Sequence, residues 1–155
     1  MTLEQNPLIR QLVAEHPALF RGEPPYVWSF VTGGWYPIVD ELCSEIEVLL
    51  GPSGCADFSV VQVKEKFASL SFYYRYPAEE TPDQPSILAA DGVQRLRSGA
   101  ALDVEGNRAK LRTLVDHADE RCAATCQRCG APGHRRNLGG WLATLCDEHA
   151  NNPRD

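Results

Sequence analysis

The stretch FSVVQVKEKFASLSFYYRY, residues 58–76, decides the fold class. It is dense in β-branched and aromatic side chains, which fit a pleated, half-buried surface. It reads as a hairpin turning near Lys64–Ala68. In the second arm Leu70, Phe72, Tyr74 and Tyr76 recur with period two and share one face, which should pack on the helix over Trp35–Leu50. The opposite face carries Tyr73, an aromatic left available to a partner. Lys64, Glu65 and Lys66 cluster at the turn. One reading makes a lysine or Glu65 a catalytic acid, base or anion clamp. The other makes them a solvated turn, since turns are normally polar and exposed.

Upstream lies the helix that can cover this hairpin. Trp35, Ile38, Val39, Leu42, Ile46, Leu49 and Leu50 recur at helical spacing, with Asp40, Glu41, Ser44, Glu45 and Glu47 on the other face. Pro37 can start it, and Gly51-Pro52 stops it. Further upstream, Asn6-Pro7 is an N-cap followed by proline at the first helical position, and Pro17 ends a short helix that turns Leu8, Ile9 and Leu12 inward. Residues 17–34, rich in Pro, Gly and aromatics, read as an ordered loop with a short strand at Tyr26–Val31.

Downstream, residues 77–86 form a polar, proline-rich loop, and residues 87–102 are ambiguous. Helical period resumes over 105–124, with Leu111, Leu114, Val115, Ala118 and Cys122 in register. The order helix, helix, hairpin, helix predicts an α+β fold, with helices packed on a small antiparallel sheet. Asp116 and Glu120 share a face of the last helix beside His117, a spacing typical of surface decoration.

That helix runs directly into CQRC (126–129), and CDEH (146–149) follows across a loop. The spacing C-x2-C-x16-C-x2-H offers three thiolates and an imidazole, a set that closes a zinc tetrahedron and leaves no open position. The expectation is a structural zinc-ribbon or knuckle unit with Cys126, Cys129, Cys146 and His149 as ligands. Gly130 permits the positive φ such a turn often needs. His134 would demand a fourth ligand at Gly139, so a knuckle built on it fails; Cys122 lies on the apolar stripe. A reduced, buried cysteine pair and a C-x-x-C redox centre are the competing readings, and the latter lacks its strand-to-helix setting. Between the ligand pairs, Arg135 and Arg136 precede Gly139-Gly140 and Trp141, as in a small hairpin with Trp141 packing beside the metal. Arg128, Arg135, Arg136 and Trp141 can also bind phosphate or a base.

The chain has 155 residues, 43% apolar and 23% charged, an ordinary globular composition large enough for its own core. We divide it into a body, residues 1–124, and a C-terminal unit, residues 125–155. No apolar run approaches the roughly 18 residues needed to span a bilayer, and no signal-peptide block opens the chain. Six cysteines, four in the last third, favour metal over disulfide in a cytoplasmic protein. The net charge of −6 is uneven: residues 1–120 hold 10 Lys/Arg against 18 Asp/Glu, and residues 121–155 hold 5 Arg against 3 acids. The body should repel nucleic acid, while the tail can touch phosphate.

GGWYPIVDELCSEIE (33–47), VVQVKEKFASLSFYY (60–74) and TCQRCGAPGHRRNLGGWLATLCDEHA (125–150) resemble a group of uncharacterised bacterial and bacteriophage or prophage proteins. Their shared blocks are a Gly-Trp opening an acidic helix, a Lys-Glu-Lys-Phe-Gly turn into an aromatic strand, and a terminal zinc unit. Ala68 stands where the resembling proteins usually have Gly, and Ser71 where they often have Arg. The resemblance covers most of 33–150 outside 77–102 and implies no activity, substrate or partner. No Walker loop, nucleophile elbow, Rossmann fingerprint or HExxH is present. The expected function is therefore non-enzymatic: an intracellular binding or adaptor protein with a protein partner, phage- or mobile-element-associated by resemblance. The alternatives are a nucleic-acid-binding regulator using the basic C-terminal unit and an enzyme using the Lys64–Lys66 turn.

Overall fold

A computed structural model describes residues 6–21, 25, 29–77 and 98–152, with side chains in the last stretch from residue 104 onward. Helix α1 (Pro7–Glu15) starts as its sequence requires: Asn6 Oδ1 accepts from the backbone N–H of Leu8 and Ile9. Ile9 and Leu12 are buried. A short helix α2 (Pro17–Phe20) follows and buries Leu19 and Phe20.

Helix α3 (Tyr36–Ala56) is the spine of the body, burying Ile38, Val39, Leu42, Cys43, Ile46 and Leu50. Each such aliphatic side chain contributes roughly 1.5–3 kcal/mol relative to exposure. The expected stop is present as a break: Gly51 leaves helical geometry at φ 66°, and the chain regains a helical turn from Pro52.

Strands β1 (Ser59–Lys66) and β2 (Ser69–Arg75) form the expected antiparallel hairpin, with a register shift between Val60 and Gln62. Phe58 stacks on Tyr74, ring centroids 5.3 Å apart. Lys66 pairs with Ser69, so the turn is Phe67-Ala68 alone, with φ of 53° and 64°. A two-residue turn with both φ positive matches the strand twist but favours Asn-Gly, because a β-carbon in this region costs about 1–2 kcal/mol per residue. Glu65 Oε1 accepts from the Ala68 N–H at 2.7 Å and helps hold the turn.

Helix α4 (Ser98–Ala123) closes the body, burying Leu111, Ala118 and Cys122. Contrary to the expected packing of β2 on the Trp35–Leu50 helix, the helix alongside β2 is α4, because α3 packs instead on α4 and α2. Asp119 accepts from Ser69 Oγ (2.9 Å) and from the Leu70 N–H (2.7 Å), which ties α4 to the start of β2. Asp116, His117 and Glu120 are exposed, as surface residues of α4. Arg121 pairs with Glu41 of α3 at 2.7 Å. The loop expected over 77–86 and most of the ambiguous stretch 87–102 lie outside the described residues, as does much of the Tyr26–Val31 strand. Phe30 does donate its N–H to the Val63 carbonyl at 2.7 Å, extending the edge of β1.

A second small antiparallel sheet, β3 (His134–Leu138) and β4 (Trp141–Leu145), and a short helix α5 (Asp147–Asn151) complete the α+β fold. Gly139 and Gly140 turn this hairpin with φ of 67° and 96°. No helix among the described residues is long and apolar enough to cross a membrane.

Candidate metal centre

Cys126 and Cys129 sit on a turn closed by the Gly130 N–H donating to the Cys126 carbonyl at 2.9 Å, with Gly130 at φ 79°. Cys146 follows β4 as the N-cap of α5, and His149 lies three residues on, in the first turn of that helix. The four candidate ligand atoms all lie within 4.8 Å of one another. Cys129 Sγ is 3.8 Å from Cys146 Sγ, and His149 Nδ1 is 3.5 Å from Cys126 Sγ and 3.2 Å from Cys146 Sγ. With metal–sulfur bonds near 2.3 Å and metal–nitrogen bonds near 2.05 Å, tetrahedral edges are about 3.8 Å for S···S and 3.5 Å for S···N. The Cys129–Cys146 and Cys126–His149 edges match these lengths, and the Cys146–His149 edge is shorter. These four residues can hold a metal ion.

Burial alone would raise the Cys126 thiol, but the backbone N–H groups of Cys129, Cys146 and Arg128 donate to it and hold it at about 6. Cys129 moves the other way: the Ala131 N–H pulls it down, while burial and the adjoining Cys126 and Cys146 sulfurs shift it upward overall. Sulfurs that raise one another's cost of ionisation are the environment a divalent cation relieves.

Neither residue weighed against this set is near it in role. Cys122 is fully buried in the body core, its thiol pushed up to about 12 by burial. His134 is exposed at the start of β3 and stands outside the cluster. Trp141 departs from expectation. It is 46% exposed, and the small core beside the ligands is Cys126, Ala143 and Leu145, flanked by Leu138 and Ala150. Trp141 sits at the turn end of the hairpin, paired with Leu138.

Of the other singled-out cations, Arg136 is fixed internally: Nε donates to the Leu145 carbonyl at 3.0 Å and Nη2 pairs with Asp147 at 2.5 Å. Arg128 Nη1 donates to the Asn152 carbonyl at 3.3 Å. Arg135 is exposed. Lys64 Nζ lies 5.9 Å from the Tyr73 ring centroid, and Lys66 Nζ lies 5.8 Å from that of Phe67.

The unit is seamed into the body. Trp35 Nε1 donates to the Thr125 carbonyl at 2.8 Å, and the Gly34 N–H donates to the Gln127 carbonyl at 2.9 Å. A β-carbon on Gly34 would stand 2.1 Å from the Cys126 carbonyl oxygen and 2.7 Å from the Gly130 nitrogen. Thr144 Oγ1 donates to the Ala68 carbonyl at 3.4 Å, joining β4 to the β1–β2 turn.

A second polar cluster escaped the sequence reading. His16, only 5% exposed, places Nε2 2.6 Å from Asp40 Oδ1 and Nδ1 2.5 Å from Glu47 Oε1. Burial disfavours its charge, but the two carboxylates outweigh burial and raise its pKa. With both ring nitrogens engaged, His16 is a charged clamp between the α1–α2 corner and α3. The only sequence signal was a histidine before Pro17 and a pair of acids one face-width apart on α3.

A groove of about 670 Å³ runs between α3 and α4; Val48, Leu49, Ala109 and Leu114 give it a mainly apolar surface, and Glu41, Glu45 and Lys110 also line it. Compared with protein-family models, curated proteins and solved structures, the chain matches none.

Proposed function

We propose that this chain is an intracellular, non-enzymatic binding protein whose C-terminal unit is a zinc-ribbon-like element, with zinc held by Cys126, Cys129, Cys146 and His149. The observation that carries it is the closed donor set: three sulfurs and one nitrogen whose atoms all lie within 4.8 Å of one another. Zinc in such a set acts as a cross-link, since no vertex is left for water or substrate. The resemblance to bacterial and phage proteins supports a phage- or mobile-element-associated role as an adaptor.

The enzymatic alternative at Lys64–Lys66 has less behind it. Both ammonium groups lie over aromatic rings, and the Glu65 carboxylate is engaged by the turn. The nucleic-acid alternative loses Arg136 to internal bonding but keeps Arg135.

Elemental analysis of the full chain tests the zinc reading. One zinc per chain, lost in Cys126→Ser with new protease sensitivity after residue 125, is the expected result. A chain purified reduced and without chelator that holds no zinc overturns it. Turnover that depends on Lys64 or Lys66 overturns the non-enzymatic reading.

A further inference from the structure

Pairing in β1–β2 gives the hairpin two unlike faces. Leu70, Phe72 and Val63 are buried, whereas Lys64, Lys66, Tyr73 and Arg75 alternate with them onto the outer face. Phe67, 65% exposed, projects from the turn, and Tyr73 is 47% exposed. Each of these rings has a lysine ammonium just under 6 Å from its centroid.

The C-terminal unit meets the turn of this hairpin. Thr144 is bonded to the Ala68 carbonyl, and its cross-strand partner in β3 is Arg135. Directly opposed residues of an antiparallel pair project to the same side. Arg135 therefore stands on the side of β3–β4 that meets the turn. Lys64, Lys66, Arg75 and Arg135 make no ion pair among the described residues. Two carboxylates beside the hairpin are held by neutral donors, Glu65 by the Ala68 N–H and Asp119 by Ser69 and Leu70, and keep their charge.

Phe67 is held at φ 53° in a turn that favours Asn-Gly, yet its ring adds little to the core. A strained backbone that displays an apolar ring between cations is a reason to look for a ligand. We infer that the outer face of β1–β2, extended by Arg135, binds single-stranded nucleic acid, with bases stacking on Phe67 and Tyr73 and phosphates meeting Lys64, Lys66, Arg75 and Arg135. This deepens the binding-protein reading and rests on it.

Single strands suit the face because only unstacked bases offer rings to Phe67 and Tyr73. The strand length, roughly 3.3 Å per residue over β2, spans about four nucleotides. The acidic balance of residues 1–120 opposes binding, and at cellular salt the Debye length of about 8 Å limits that opposition to carboxylates close to the face.

The test uses the full, zinc-replete chain and fluorescence anisotropy with labelled oligo-dT and oligo-U of about a dozen nucleotides. Four phosphate contacts predict a slope near −3 in log K against log salt. Phe67→Asn removes the ring while placing a residue tolerant of positive φ in the turn. It should weaken binding roughly ten-fold by loss of one stacked base, with thermal stability kept or raised. Lys64→Gln with Lys66→Gln should flatten the slope by about 1.4. Equal affinity for dT and U places recognition in base and phosphate, and a preference for either names the strand; both support the proposal. No binding at low salt overturns it, as does binding indifferent to Phe67→Asn. Displacement by poly-glutamate as effective as by oligo-dT overturns it too, and assigns the face to an acidic protein segment. Zinc content measured on the same samples separates failure of this proposal from failure of the metal reading.

Discussion

The backbone N–H of Gly34 donates to the carbonyl of Gln127 at 2.9 Å, across 93 positions of chain, and places the start of α3 against the Cys126–Cys129 turn. The candidate metal centre is thus built on the body, although the four residues that can hold an ion all lie in the last 30 residues.

Gly34→Ala forces a β-carbon to within 2.1 Å of the Cys126 carbonyl oxygen, a contact with backbone that no rotamer relieves. The seam must open. We expect a loss of about 2–4 kcal/mol in urea unfolding, at the upper end for overpacking, together with weaker zinc retention against a chelator. A variant as stable as wild type contradicts the seam.

Metal removal should be felt by the whole chain. At free zinc a thousand-fold above Kd, binding to the native state alone adds about 4 kcal/mol. Because Trp35 and Gly34 bond directly to the ligand turn, chelation should lower the thermal midpoint measured by Trp35-region fluorescence as well as by the C-terminal protease assay. A body transition unmoved by chelation would mean two independent units.

Ala68 sits at φ 64°, where a β-carbon costs about 1–2 kcal/mol. Its side chain is small and buried, and glycine loses little packing there. Ala68→Gly should therefore stabilise the protein by about 1 kcal/mol, read as a higher urea midpoint at unchanged slope.

His16 predicts a pH dependence of defined sign. Its folded pKa is raised above 6.5, so its contribution is fully present below about pH 6.5 and is lost as pH rises through the folded value. His16→Gln should cost roughly 2 kcal/mol at pH 6, the scale of hydrogen bonds to charged groups, and progressively less at alkaline pH. The wild-type minus variant difference in unfolding free energy from pH 6 to 9 measures it; a difference that grows with pH contradicts the clamp.

Local chemistry was legible without coordinates. The Asn6 cap, the apolar stripe of α3, the break at Gly51, the period-two pattern of β2 and the four-ligand spacing are short-range signals, each confined to neighbours within one element or one turn. The ligand set needed only that two C-x2 pairs be brought together. What sequence could not fix was which surfaces meet. Trp141 and Phe67 are both apolar, and only the packing decides that Ala143 and Leu145 fill the small core while both rings face outward. Arg135 and Arg136 are adjacent and identical, yet one is exposed and the other is bonded to Leu145 and Asp147, because β-strand neighbours point to opposite sides. His16 gains its two carboxylates, and Gly34 its reason to be glycine, from segments far along the chain. Spacing and pattern determine elements and ligands, since those depend on nearby residues; contacts between distant elements depend on shape and burial, and only the tertiary structure decided them.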